Sequence, residues 1–233
     1  RRLFIDTTSS GSSFTHTRIR YGGNNNISDT TEKKGAIGVD NATVAFDGLA
    51  VEKSNFYGLV LQNSNSTVTN SRFSTSTNAN VSAAGIYISG GSPTISNSMF
   101  SGNYRGMTVL GATPTLTSNT FTSNSQEAVL NTGVVGSFSG NSGSGNGYNA
   151  ILISAGTFTS AGATTTLAQN SLPYLIKGTA TLASNSTLSF ATGVVVKGWD
   201  SGQNLYGRIS VPSGATLHSS GTTPSDLIFT SMH

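Results

Sequence analysis

Apolar and polar residues alternate along this chain in short bursts, and the bursts recur. Ala36, Gly58, Gly85, Gly106, Ala128 and Ala150 each open a short apolar strand: AIGV, GLVL, GIYI, GMTV, AVL and AILI. These starts lie 22, 27, 21, 22 and 22 residues apart. A period in the low twenties marks a solenoid, in which one rung cannot bury its apolar face alone and must stack on its neighbours. One residue after each start stand Ile37, Leu59, Ile86, Met107, Val129 and Ile151, and three after it Val39, Leu61, Ile88, Val109 and Ile153. This period of two predicts strands with one buried face. Ten after the start come Val68, Ile95, Leu116 and Phe138, and fifteen after it Phe73, Phe100 and Phe121. Each rung therefore sends at least three sets of side chains inward. About ten rungs at strand spacing predict a rod of roughly 50 Å.

Polar columns mark the turns between these strands. Gly90, Gly111 and Gly133 stand five after the start, Asn70, Asn97 and Ser118 twelve after it, and Asn103, Asn124 and Asn146 eighteen after it. Asparagine tolerates the left-handed backbone of a sharp corner, and stacked carboxamides can bond up and down a ladder. Counting back from Phe14 and Ile19 puts His16 in the twelve-after column, so a corner residue is expected there ahead of a catalytic base. The single step of 27 predicts a loop of about five extra residues within Ser74–Ala84, which carries neither charge nor aromatic ring. The Thr residues show no regular Thr-x-Thr column, so a flat ice-binding face is not expected.

Beyond Tyr174 the repeat widens. GTATLASNSTL (178–188) resembles GRISVPSGATL (207–217) at an offset of 29, with Leu182 against Val211 and Leu188 against Leu217. The expected organisation is one all-β domain over 1–233, with regular rungs of about 22 residues over 1–174 and wider rungs of the same solenoid over 175–233. No segment has a 3.6-residue apolar period, so essentially no helix is predicted.

Composition narrows the functional classes. Charged residues make up 9 % of the chain, with a net charge of +3. The basic residues are scattered in sequence, with pairs only at Arg1-Arg2 and Lys33-Lys34, so a nucleic-acid partner is not expected. Cysteine is absent, which excludes disulfides and thiolate chemistry. Low charge with abundant Thr, Ser, Asn and Gly fits a secreted or cell-surface protein, whose export signal would lie outside this stretch. No apolar run approaches membrane-spanning length, so no membrane insertion is expected.

Strings such as GIYISGGSPTISNSMFSGN and GMTVLGATPTLTSNTFTSN resemble the right-handed parallel β-helix repeats of the pectin-lyase-like superfamily. They are most similar to repeat regions of secreted bacterial surface proteins, as are FTHTRIRYGG (14–23) and GTTPSDLIFTS (221–231). The resemblance implies the fold over nearly the whole chain. It does not imply an activity, because that superfamily spans lyases, hydrolases, adhesins and stalks.

The superfamily's hydrolases cluster Asp residues on adjacent rungs, and its lyases hold Ca²⁺ with several carboxylates. Here Asp6, Asp29, Asp40, Asp47, Asp200 and Asp226 are dispersed, with no Asp-Asp pair. None of the family's catalytic residues carries over, so neither an enzyme nor a cofactor is expected. His16, His218 and His233 lack metal-ligand spacing, and no metal site is expected.

Tyr57, Tyr104, Tyr148 and Tyr174 each precede a rung start or strand, and are read either as an exposed edge that stacks on sugar rings or as corner filling. Trp199, followed by Asp200, could join such a sugar site. At the ends, Leu3, Phe4 and Ile5 and Leu227, Ile228 and Phe229 are β-prone and apolar, and would meet copies of the chain or adjacent modules end to end. The leading expectation is a non-catalytic extracellular structural or adhesive rod, with polysaccharide as a possible ligand. The alternatives are a head-to-tail filament subunit and a polysaccharide lyase or hydrolase.

Overall fold

The computed structural model describes residues 2–23, 35–76, 83–199, 206–223 and 227–231. Every strand pairing among them is parallel, and the described helical structure is one 3₁₀ turn at Thr7–Ser9. The columns read from the sequence are the pairing register. Ile37 pairs with Leu59, Leu59 with Ile86, Ile86 with Met107, Met107 with Val129 and Val129 with Ile151. Val68, Ile95, Leu116 and Phe138 follow one another in a second sheet, and Phe73, Phe100 and Phe121 in a third. The parallel β-solenoid expected from the sequence is therefore the observed fold.

A rung has three sides because it has three left-handed corners. Positive φ recurs at Asn41, Asn63, Gly90, Gly111 and Gly133, at His16, Gly48, Asn70, Asn97, Ser118 and Gly140, and at Lys53, Thr75, Gly102, Ser123 and Gly145. These stand five, twelve and seventeen residues after the rung starts. His16 occupies the corner its register implied, with φ 48° and its ring against Gly48.

The polar ladders lie one residue beyond two of those corners. Asn103 Nδ2 donates to Asn124 Oδ1 at 3.1 Å, and Asn124 Nδ2 donates to Asn146 Oδ1 at 2.7 Å. These carboxamides are buried, and they also serve the core backbone: Asn124 Nδ2 reaches the Phe100 carbonyl at 3.1 Å. The ladder expected at Asn70, Asn97 and Ser118 is displaced by one position. Asn119 donates to Asn141 and Asn141 to Asn170, with Ser71 and Ser98 continuing the same line. The side chain after the corner turns inward, where no water can satisfy the backbone, so the amide is needed there.

The third sheet explains why each strand opens on Gly or Ala. The Phe73, Phe100 and Phe121 rings stack at 5.3 and 4.8 Å. A Cβ on Gly58 would stand 3.1 Å from Phe73 Cδ1, and one on Gly85 2.9 Å from Phe100 Cδ1. The small column makes room for the aromatic one.

Six rungs carry strands in all three sheets, ending at Ser144. Beyond it the long sheet continues through Tyr148–Thr157, Tyr174–Thr181, Val194–Gly198 and Leu227–Ser231. Thr164–Leu167, Thr187–Phe190 and Thr216–Ser219 form a separate short sheet, with Leu188 on Leu217 as the offset of 29 implied. The chain makes about seven turns, not ten. The later strands of the long sheet have no partners in the second and third sheets, so they do not close three-sided rungs. The inserted loop falls mainly on residues 77–82, outside the described residues.

As expected, no Thr-x-Thr column recurs, because the second-sheet strands read TVT, TIS, TLT and SFS. The outward positions of the second sheet do form hydroxyl columns, Thr67–Thr94–Thr115–Ser137 and Thr69–Ser96–Thr117–Ser139. Serine replaces threonine in alternate strands, which hid the columns from a search for Thr-x-Thr.

Candidate functional site

Outward positions on a solvated sheet face are normally polar. On the long sheet one outward column instead runs Leu130, Leu152, Leu175 and then Lys197. Leu152 and Leu175 are buried with Ala150, and Leu130, Tyr148 and Trp199 pack against them. Tyr148 stands where the strand register shifts opposite Glu127, so its ring leaves the regular column. It meets Trp199 with ring centroids 4.9 Å apart and planes inclined by 52°. Lys177 places its ammonium 4.4 Å from the Trp199 ring centroid. Beside this pair a groove of about 270 Å³ is lined by Tyr148, Asn149, Pro173, Leu175 and Lys197. An apolar floor, an aromatic wall and an ammonium donor suit a ligand with flat apolar faces and hydroxyl edges.

The expected row of exposed tyrosines does not exist. Tyr174 is 1 % exposed and occupies the inward column, paired with Ile151. Its hydroxyl donates to the carbonyls of Phe138 at 3.1 Å and Ala168 at 3.0 Å. Burial pushes that hydroxyl well above the usual tyrosine value. Tyr57 is 9 % exposed and packs on Tyr87 at 4.8 Å, and burial pushes its hydroxyl up to about 12. Tyr104 is half-buried beneath Arg105, outside the groove. Rung starts predict position along the strand, but a residue just before the start can turn either way at the corner. Of the five proposed residues, Tyr148 and Trp199 come together. Lys177, Lys197 and the leucine column were missed, although the apolar outward column was a readable signal. Asp200 lies outside the described residues.

The end residues divide between core and surface. Leu3–Ile5 and Leu227–Ser231 are the first and last strands in the order of the long sheet. Leu3, Phe4, Ile228 and Phe229 are exposed, Leu227 is half-buried, and Ile5 is buried in the core. Phe4 lies under the Arg2 guanidinium, and Phe229 meets Phe190 edge-on at 5.4 Å.

Among the described carboxylates, Asp6 directly follows Ile5, which pairs with Val39, so it stands beside Asp40 one strand away, and the others are spread out. Asp40, Asp47 and Glu52 belong to one rung but to three different sheets. Glu127 shares the long sheet with Asp40 four strands away, about 19 Å at strand spacing, and is held by Arg105 at 2.7 Å. Carboxyl pairs that cleave glycosidic bonds stand about 5–9.5 Å apart. No cluster of three metal-ligating side chains occurs among the described residues. No helix among them is long and apolar enough to cross a membrane.

A family model described as right handed beta helix region matches residues 4–172. No curated protein and no solved structure matches the chain.

Proposed function

We propose that this chain, which belongs to the right-handed β-helix family, is a non-catalytic rod of a secreted or cell-surface protein that holds neutral polysaccharide at the Tyr148–Trp199 groove. The observation that carries the reading is the half-exposed aromatic pair standing over buried outward leucines. The spread of Asp40, Asp47 and Glu52 over three sheets and the lack of a three-residue acidic or metal-ligating cluster among the described residues support a non-catalytic role. The low charge and the abundance of Thr, Ser, Asn and Gly support an extracellular one.

Trp199 is the single tryptophan, so its fluorescence reports on the groove directly. Titration with soluble oligosaccharides of glucan, xylan and chitin should shift that emission for at least one series. Tyr148→Ala should then weaken binding about tenfold, the scale of one lost stacking contact. No response to any series overturns the reading. Negative-stain microscopy separates single rods from end-to-end fibres, the outcome favouring the filament alternative.

A second reading rests on the hydroxyl columns of the second sheet. Their hydroxyls, though not their methyls (absent at Ser96, Ser137 and Ser139), repeat at about 4.8 Å along the rod and about 6.7 Å across it, a spacing able to order water. Thermal hysteresis of the intact chain tests it, and ice growth indistinguishable from buffer removes it.

A further inference from the structure

Four of the chain's scattered cations come together on the third sheet, a face distinct from the aromatic groove. Arg18 and Arg20 stand at outward positions of one strand, and Arg18, Ala50 and Arg72 follow one another in register. Arg18 and Arg72 are thus two strand spacings apart, about 9.6 Å. Glu52, on the strand between them, accepts from Arg18 Nη2 at 2.8 Å and forms an ion pair with Arg20 Nε at 3.0 Å. Its side chain is 17 % exposed, against 59 % for Arg18 and 43 % for Arg20. The carboxylate therefore lies beneath the two guanidiniums and anchors them, while their remaining N–H groups face solvent. Lys53, at the adjoining corner, donates to the Tyr21 hydroxyl at 3.3 Å. The Tyr21 ring is 67 % exposed and lies within 5.5 Å of both the Arg20 guanidinium and the Lys53 ammonium.

Four cations against one carboxylate leave a charge of +3, equal to the formal net charge of the whole chain. We propose that the Arg18–Arg20–Arg72–Lys53 face binds an anionic polysaccharide, one bearing sulfate or carboxylate groups along its length. Guanidiniums fixed in advance match such groups bidentately and lose little side-chain freedom on binding. Strands of nucleic acid are held by grooves with successive stacking rings, whereas this face offers the single ring of Tyr21 among the described residues.

The test uses the full chain and dextran sulfate, with uncharged dextran as control, at low and high salt. Dextran sulfate should bind and dextran should not, and added salt should weaken the complex steeply. Arg18→Ser with Arg20→Ser should reduce affinity at least about tenfold. Arg208→Ser removes one charge from the long sheet, away from this face, and should leave binding within about twofold, whereas Arg18→Ser alone should weaken it by more than that. Glu52→Gln raises the net charge but frees the guanidiniums, and should weaken binding. Equal losses from Arg18→Ser and Arg208→Ser, or tighter binding by Glu52→Gln, would reduce the effect to net charge and overturn the proposal. Tighter binding of single-stranded DNA than of dextran sulfate would also overturn it, as would no binding of dextran sulfate.

Discussion

Phe121 packs over Gly106: a Cβ on that glycine would stand 2.5 Å from Phe121 Cδ1 and still closer to the Ala128 carbonyl oxygen of the next rung. The two residues belong to neighbouring sides of the solenoid, and the size of one sets the size of the other. Phe121→Ala should cost about 3–5 kcal/mol, and Phe100→Ala, in the middle of the ring stack, about the same. Gly106→Val should cost about 1–3 kcal/mol by overpacking. Gly106→Ala combined with Phe121→Leu should lose less than the sum of the two single changes. Urea unfolding measures all of these, and a loss under about 1 kcal/mol for Phe100→Ala would contradict the packing described.

Asn124 holds the middle of a buried ladder. Its Oδ1 accepts from the backbone N–H of Asn103 at 3.0 Å, and its Nδ2 satisfies the Phe100 carbonyl. Asn124→Ala strands both groups where water does not reach. The expected loss is about 1–3 kcal/mol for each unsatisfied group, with faster amide exchange at Asn103. Unchanged exchange at that amide would show that the ladder contributes nothing.

Tyr174 and Trp199 should separate stability from binding. Tyr174→Phe removes a hydroxyl shared by the Phe138 and Ala168 carbonyls, both of which also accept from Asn170 Nδ2, and should cost about 0.5–1.5 kcal/mol while leaving oligosaccharide binding unchanged. Trp199→Ala, followed calorimetrically because the fluorophore is gone, should abolish binding with a smaller change in stability. The reverse pattern would place the ligand elsewhere.

Acid should weaken the second sheet through Asp47. Hydrogen bonds from Asn70 at 2.8 Å and Thr69 at 2.9 Å hold this carboxyl below the usual carboxylate value of 3.8. Its contribution is fully present above that unfolded value, and is lost as the pH falls through the lower folded value. The urea midpoint of Asp47→Asn should therefore fall less on moving from pH 6 to pH 2.5 than that of the unaltered chain. Parallel acid responses in the two proteins would show that these hydrogen bonds add no stability.

How far the sequence could be read depended on where contacts lie along the chain. Inward columns were legible from Ile37 to Ile153 and from Phe73 to Phe121, because the partner of each residue is its equivalent one rung away. The ladder at Asn103, Asn124 and Asn146 was legible for the same reason. Tyr174 was misread because the segment before it lacks a regular rung, so its place in the register with Ile151 could not be counted.

By itself, the sequence determined a parallel solenoid with its rung register, its inward side chains and most of its corners. Parallel pairing turns a repeat in sequence into a repeat in space, so burial and corner conformation follow from counting. Only the tertiary structure decided what meets on the outside. Tyr148 and Trp199 are drawn together by a register shift and two irregular rungs. Arg18, Glu52 and Arg72 share a face although 34 and 20 residues separate them in turn. Outward side chains are not required to repeat, since solvent accepts any of them, so their arrangement depends on the register of the folded rungs.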